Sequence, residues 1–269
     1  MSVNSHIQIP KGILKCFGDK EKSGRIWYLN VSNGKIGLAG AGKLGTLYGY
    51  YSDEMEKYLN QEIETPLMQL NAKVRSFLSG DEKQLYLTVT SEDVLKKYIL
   101  GAIARSDFAK RSFETGSITA QFCDEQENHD FLVSFATENL QWGKEVIGGY
   151  SFGLLVNRTS RNLVVPRNCF YTAKSCGVDC IVAPISPNCA LALCPPEYSG
   201  NKVNGETRLL GNIDDEKAIE IMNIRALFYE YVYNLSFIAS NSKEEIDGLR
   251  KVLETNRRLF ETQRRQVWS

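Results

Sequence analysis

Hydrophobic residues recur at helical spacing in the first half of the chain. Between residues 53 and 78 an apolar side chain returns every three or four positions, which predicts one long amphipathic helix. Asp53 suits the N-cap of this helix, and Pro66 predicts a kink within it. A second helix is expected over residues 91–110, with Ser91 as its N-cap. The apolar stripe of the first helix consists of Met55, Tyr58, Leu59, Ile63, Leu67, Leu70, Val74 and Phe77.

Strand-like segments lie on both sides of these helices. Residues 25–31 are rich in β-branched and aromatic side chains, and Asn33-Gly34 separates them from a second such run at 35–38. This order predicts a β-hairpin, because Asn-Gly accommodates positive φ at both turn positions. Further strands are expected at 150–156, 162–165, 179–183 and 189–193.

Two helices are predicted to close the chain, over residues 214–233 and 242–266. Ser242 suits the N-cap of the last helix, and Glu244 and Glu245 place negative charge in its first turn, where the helix dipole favours it. The N-terminal hairpin, central long helices, C-terminal antiparallel strands and two closing helices together predict an α+β fold. We expect a single domain over residues 1–269, with a subdivision near residue 145 as the alternative.

Charge and composition exclude some partners. The chain has 32 basic and 32 acidic residues, so no global positive field attracts nucleic acid or an anionic membrane. The first six residues lack the basic and apolar segments of a signal peptide, and no run approaches the ~18 apolar residues of a membrane span. We therefore expect a soluble cytoplasmic protein with no membrane partner and with its seven cysteines reduced.

The glycine-rich segment 37–43 imitates part of a phosphate-binding loop. Leu44 stands where that motif requires a hydroxyl for magnesium, and the residues after it form a poor helix. The overlapping Gly40-x-Gly42-x-x-Gly45 lacks the context of a dinucleotide site for the same reason. A turn-rich segment is therefore favoured over a phosphate site, and no nucleotide cofactor is expected.

The cysteines and the histidines each allow both a structural and a functional interpretation. Five cysteines lie between residues 169 and 194 without a Cys-x-x-Cys pair, so core packing or surface thiols are favoured over a zinc site. In the zinc alternative, Cys176 would pair with Cys180, and Cys189 with Cys194. Of the two histidines, His129 lies in an acidic stretch that we expect to be a solvated loop or helix start, whereas His6 keeps a functional interpretation.

The last twenty residues carry six basic and two acidic side chains, a local net charge of +4. A terminal helix packed on its own domain with a solvated outer face is the favoured interpretation. A homo-oligomer contact or a nucleic-acid contact through this helix is the alternative. The candidate binding residues of that alternative are Arg257, Arg258, Arg264 and Arg265.

Several short segments share their order with a bacterial protein family. His6-Ile-Gln-Ile-Pro10-Lys-Gly-Ile-Leu14-Lys-Cys-Phe17 resembles the opening of domain-of-unknown-function family 4238, in which a paired His, a Tyr and a Pro precede Leu and Phe. The resemblance extends over about residues 4–240. The other segments that carry it are the strand at 25–29, Tyr51 to Leu59 with Ile63-Glu64, Pro184-Ile-Ser186-Pro187, and the helix around Asn223.

The chain departs from the family pattern at two places. Ile7 and Gln8 replace the second His and the Tyr of the opening. The family's Thr-Ser-Asp-Asn-Pro segment corresponds to residues 165–169, where only Asn168 is retained and Arg167 replaces the Asp. Since an arginine cannot act as a base or bind a cation there, the segment is either a degenerate site or a structural turn.

The family resemblance implies an enzyme, a hydrolase or nuclease-like effector in bacterial defence against phage. His6 would be its general acid or base, Asn168 would position a polar group, and Glu56 or Glu64 would supply a carboxylate. The cofactor is left open, and a divalent metal is the candidate for this chemistry. The alternative is a non-catalytic interaction module that acts through a protein or nucleic-acid partner. Convergence of the four candidate residues in one pocket would favour the enzyme.

Overall fold

The N-terminal half of the chain combines short strands with a long helical region. The computed structural model describes residues 4–6, 9–48, 50–81, 89–106, 125–138, 150–175, 178–194 and 211–268. The elements of this half are β1 (Asn4–His6), α1 (Lys11–Cys16), a 3-10 turn (Lys20–Lys22), β2 (Ile26–Asn30), β3 (Ile36–Ala39), β4 (Thr46–Tyr48), α2 (Asp53–Tyr58), a π-helical segment (Leu59–Glu64), α3 (Thr65–Leu78), α4 (Val89–Ala104) and α5 (Glu125–Glu138).

The C-terminal half contains most of the sheet structure and the two closing helices. Its elements are β5 (Ser151–Asn157), β6 (Val165–Pro166), β7 (Tyr171–Ser175), β8 (Val178–Ser186), β9 (Cys189–Cys194), β10 (Gly211–Ile213), α6 (Glu216–Tyr233), β11 (Phe237–Ser240) and α7 (Lys243–Trp268). The mixture of helices with largely antiparallel sheets confirms the predicted α+β class.

The described strands form three sheets. A five-stranded sheet has the order β10-β5-β9-β8-β7, and its only parallel pair among these strands joins β10 to β5. A four-stranded sheet has the order β3-β2-β11-β6, so a strand between the two closing helices pairs with the N-terminal hairpin. The third sheet joins β1 to β4. Strands β7 and β11 were not predicted from the sequence, because each is short and β11 is buried throughout, without polar alternation.

The predicted hairpin is confirmed, although its turn differs from the expected one. Strands β2 and β3 pair antiparallel, with Leu29 opposite Ile36. Gly34 has φ of +72°, but Asn33 does not adopt positive φ. Instead, the side chain of Asn30 accepts hydrogen bonds from the Ser32 and Asn33 backbone N–H groups, which closes a longer loop. The glycine-rich segment that follows continues as β3 and then as a turn, so it opens no helix.

The first long helix changes helix type part-way along its length, and the predicted kink at Pro66 stays a prediction. Ser52, not Asp53, is the N-cap, and its hydroxyl accepts a hydrogen bond from the Met55 N–H at 3.1 Å. A π-helical segment follows α2 and leads directly into α3, in which Pro66 is the second residue. The second helix begins at Val89, so Ser91 lies inside α4 rather than at its cap.

The five-stranded sheet separates two hydrophobic cores. One face packs against α1 to α4 through side chains such as Phe152, Leu191 and Leu193. The other face, with Tyr171 and Val182, packs against the two closing helices. Strands β5, β8 and β9 contribute to both cores because successive side chains point to opposite faces. The larger core contains residues from both sides of position 145, and the single-domain prediction stays a prediction.

The last helix packs on its own protein through one stripe, as predicted. Ile246, Leu249, Leu253 and Phe260 are buried, and the Ser242 hydroxyl accepts the Glu245 N–H at the N-cap. In the described part of the chain, none of the helices combines the length and apolar character needed to cross a membrane.

A polar cluster joins α6, α7 and the segment before β6; we call Arg161, Asn223 and Glu245 the Arg161 cluster. Arg161 donates two hydrogen bonds to Glu245, at 3.0 and 2.9 Å. Asn223 accepts a hydrogen bond from the Val164 N–H at 3.1 Å and donates to Glu245 at 3.2 Å. Asn223 of α6 therefore holds the segment before β6 in place.

Candidate functional site

Glu56 and Glu64, two of the residues singled out from the sequence, lie in one electrostatic cluster around Arg105. We call Glu56, Glu64, Arg105 and Tyr51 the Arg105 cluster. Burial raises the pKa of Glu64, the charge of Arg105 lowers it, and the neighbouring carboxylate of Glu56 raises it further. Glu56 lies on α2 and Glu64 ends the π-helical segment. Such wide turns often occur at functional sites, because they change the face on which later side chains lie.

Arg105 follows α4 directly and is only 2% exposed. Its Nε donates a hydrogen bond to the Gly101 carbonyl at 3.0 Å, which holds the side chain along the end of the helix. Its charge lowers the pKa values of Tyr51 and Glu64, and so opposes the effect of burial at both groups. A buried arginine needs carboxylates to compensate its charge, which explains why two glutamates lie near it.

Tyr51 connects this cluster to α5. Burial raises the pKa of Tyr51, and a hydrogen-bonded contact with Arg105 opposes that rise. Next to it, the ring of Tyr50 stacks on His129 with centroids 3.9 Å apart, and His129 Nδ1 lies 3.2 Å from the Tyr50 carbonyl oxygen. Asp130 accepts a hydrogen bond from the Ser52 N–H. His129 lies near the start of α5, as the helix-start alternative expected. The expectation that it is solvated was wrong, because the aromatic pair covers the residue, which is 7% exposed.

On the inner side of the cluster, Tyr98 and Cys169 are completely buried. The two side chains interact, and burial raises the pKa of the Cys169 thiol to about 12 while Arg105 lowers it. Cys169 also has φ of +67°, a conformation that costs free energy in any residue with a Cβ atom. Cys169 was not one of the four ligands of the zinc alternative, and the structure places it in the core near Arg105.

Asn168 precedes Cys169 and is fully buried. Within the described residues, its side-chain oxygen and nitrogen have no hydrogen-bond partner. Its backbone N–H donates to the Glu230 carboxylate at 3.4 Å. Burial raises the pKa of Glu230 to about 7, although the Arg167 charge lowers it. Arg167 thus partly compensates a buried carboxylate.

Glu64 links the buried cluster to the surface. Its side chain is half-buried and borders an open groove of about 350 Å³ along the start of α3. The carboxyl group can therefore meet a ligand in the groove on one side and Arg105 on the other. The other residues of the groove are Asn60, Thr65, Met68, Gln69 and Ala72.

A larger groove of about 1330 Å³ lies between the 3-10 turn, the end of α3 and the start of α7. Pro187 of the family-like turn borders it, together with Trp27 and Lys243. Among the described residues that border this groove, none belongs to the Arg105 cluster. The two grooves are thus separate features.

The remaining residues singled out from the sequence lie outside the Arg105 cluster. His6 is on β1, opposite Thr46 of β4, and its side chain lies outside the described residues, as does Cys176. Arg264 donates hydrogen bonds to the Tyr231 and Val232 carbonyls at the end of α6, at 3.2 and 2.6 Å. Arg257 donates to the Ser32 carbonyl at 3.5 Å, and Arg258 and Arg265 are exposed on α7.

The described part of the chain contains no group of three or more His, Cys, Asp and Glu side chains with the geometry to hold a metal ion. Of the four cysteines in the zinc alternative, Cys176 lies outside the described residues. Cys180 lies beside Cys194, and Cys189 is buried with its thiol pKa raised to about 12.

The sequence interpretation missed Arg105, Tyr51 and Tyr98 as parts of the site. Tyr51 begins the family-like segment that also contains Glu56, so the resemblance contained a signal for it. Arg105 had a weaker signal, since it is the first charged residue after the apolar run 98–104. Tyr98 had none, because a tyrosine within an apolar helix is ordinarily a core residue.

Comparison of the chain with family models, with curated proteins and with solved structures found no match. The Arg105 cluster and the groove that Glu64 borders are therefore the features of the molecule that point to a function.

Proposed function

We propose that the protein is a hydrolase with Glu64 as its acid–base residue. The observation that carries the proposal is the position of Glu64, which borders an open groove and also interacts with buried Arg105, while burial raises its pKa. Carboxyl groups that reach a cleft and whose pKa is perturbed by burial and by a charged partner are candidates for active-site residues. A carboxyl group whose pKa moves towards neutral pH can both donate and accept a proton, which is what general acid–base catalysis requires.

The neighbours of Glu64 have positioning roles in this proposal. Arg105 is too deeply buried to meet a ligand in the groove, so it acts through the Glu64 carboxylate and holds its orientation. Glu56 compensates the charge of Arg105 and keeps the pKa of Glu64 raised. Glu64 would then give a proton to a leaving-group oxygen in the groove, or take one from an attacking water.

The substrate proposal follows the family resemblance to nuclease-like defence effectors, and the defence role depends on that resemblance alone. The test is cleavage of labelled DNA and RNA by the purified chain, with and without magnesium or manganese. We expect Glu64→Gln to lower the rate about 10²-fold or more, since a positioned acid–base group typically contributes that factor. His6→Ala in the same assay tests the histidine selected from the sequence.

Glu62→Gln is the matched control for this experiment. Glu62 lies on the same π-helical segment, but its exposed carboxylate pairs with Lys97 at 3.3 Å. Glu62→Gln should leave the rate unchanged. Glu64→Gln should remain folded, because Glu56 still compensates Arg105 and burial opposes the ionisation of Glu64. Equal rates in the two variants, or no cleavage under any condition, would contradict the proposal.

A pH profile separates a catalytic Glu64 from a structural one. If the protonated Glu64 is the acid, the rate should fall as pH rises through its raised pKa, and this limb should be missing in Glu64→Gln. A structural role would lower the rate at all pH values equally.

The second candidate is a non-catalytic module that binds a second copy of the chain or a nucleic acid through α7. The observation in its favour is the solvent-facing stripe with Arg258, Arg265 and Leu259, whose side chain is 55% exposed. Leu259→Asp would shift a dimer to a monomer in analytical ultracentrifugation. Arg258→Ala with Arg265→Ala would weaken nucleic-acid binding and reduce its salt dependence.

A further inference from the structure

Two cysteines lie side by side at one end of the five-stranded sheet. Cys180 is on β8 and Cys194 is on β9, and these strands pair antiparallel with Ile181 opposite Leu193. The same register places Cys180 directly opposite Cys194. Their Sγ atoms are 3.0 Å apart, within the range of a thiol contact.

The backbone geometry of such a pair suits a disulfide. Residues directly opposite in an antiparallel sheet have Cα atoms about 4.5–5.5 Å apart. Disulfides usually join Cα atoms separated by about 4.4–6.8 Å. The two sulfurs can therefore form a covalent bond while β8 and β9 keep their register.

The surroundings separate this pair from the other buried thiols. Cys180, Cys194 and Ala192 form a small apolar cluster of their own, with Leu155 packed against it, apart from the two main cores. Cys169 and Cys189 belong to the larger core, where burial raises both thiol pKa values to about 12. Since the thiolate is the reactive form, Cys169 and Cys189 are unreactive.

We propose that Cys180 and Cys194 form a reversible disulfide when the protein meets hydrogen peroxide. The thiolate of one cysteine attacks the peroxide O–O bond, which gives a sulfenic acid and, after protonation of the released hydroxide, one water. The second thiol attacks the sulfenic sulfur, so that the S–S bond forms and a second water leaves. The two thiols lose two electrons and two protons, and peroxide is reduced to water.

The experiment uses the full-length reduced protein, treated with hydrogen peroxide, then unfolded and alkylated. Chymotrypsin is suited to the mapping because it cleaves after Leu191 and Leu193 and so places Cys180 and Cys194 on separate peptides. We expect the peptide with Cys194 to be linked to the peptide with Cys180, with a mass loss of two hydrogen atoms. Dithiothreitol should separate the two peptides again.

Cys180→Ser and Cys194→Ser should abolish the link, and Cys189→Ser should keep it. If a variant fails to fold, fragmentation of the linked wild-type peptides still assigns the bond, because Cys176, Cys180 and Cys189 give different fragment masses. A bond from Cys194 to Cys176 or Cys189, a bond between two chains, or complete alkylation of Cys194 after peroxide treatment would overturn the proposal.

Discussion

Among the described residues, the Arg161 cluster and the Arg105 cluster differ in how their charges are stabilised, and this contrast bears on function. In the Arg161 cluster, Glu245 accepts two hydrogen bonds from the guanidinium, and Asn223 links the same carboxylate to the backbone of Val164. The hydrogen bonding of the Arg161 guanidinium to Glu245 is the largest cause of the raised pKa of Arg161. Each charge is thus stabilised where it lies, as expected of a cluster that holds two helices against a strand.

In the Arg105 cluster, burial works against the charges. The pKa of Glu64 is raised despite the nearby arginine, and the adjoining Asn168 has a buried amide without a partner among the described residues. Cys169, beside it, has a left-handed backbone conformation. Proteins usually retain such costs where function requires them, so the difference between the clusters supports a functional role for the Arg105 cluster.

The largest effect expected from this comparison concerns the two arginines. Arg105→Met should lower the free energy of unfolding by about 3–5 kcal/mol, since it leaves buried carboxylates without a countercharge. Arg161→Met should cost about 1.5–3 kcal/mol, because Arg161 is half-buried and water can replace part of its hydrogen bonding. Urea unfolding of both variants at pH 7 measures the difference. A larger loss for Arg161→Met would reverse the comparison.

The pH dependence of stability should have its origin on the Arg105 side of the molecule. The pKa of Glu230 is raised from 4.5 to about 7, so the folded chain keeps this proton after the unfolded chain has lost it. The free energy of unfolding therefore falls by on the order of 3 kcal/mol for this group as pH rises from about 4.5 to 7. Above that range, this group adds no further change.

Glu230→Gln should flatten this slope in urea unfolding measured at intervals between pH 4.5 and 8. Glu254→Gln is the control, since Glu254 is exposed on α7 and should leave the wild-type slope in place. Parallel curves for the wild type and Glu230→Gln would show that Glu230 does not titrate in this window.

The smallest effect concerns the two buried asparagines. Asn223→Ala should cost about 1–3 kcal/mol, because the Val164 N–H loses its acceptor inside the protein. Asn168→Ala should cost less than about 1 kcal/mol, since the truncated amide leaves no described partner unsatisfied. Thermal unfolding of both variants gives the ranking, and equal losses would remove this distinction between the clusters.

Much of the secondary structure could be predicted from local patterns. The apolar stripes located the 53–78 region and both closing helices, and the Asn-Gly segment located the hairpin, because these signals lie within a few turns of chain. The π-helical segment could not be predicted, since its residues fit an ordinary helix equally well. Strand β11 was not predicted, because four buried residues between two helices carry no periodic signal.

The sequence by itself determined the α+β class, the placement of the long helices and the choice of Glu56, Glu64 and Asn168 as candidates. Only the tertiary structure decided that Arg105 lies beside the two glutamates and that Cys180 lies opposite Cys194. The physical reason is that a pKa, an ion pair or a thiol contact depends on distances across elements far apart in the chain, and a local pattern does not contain those distances.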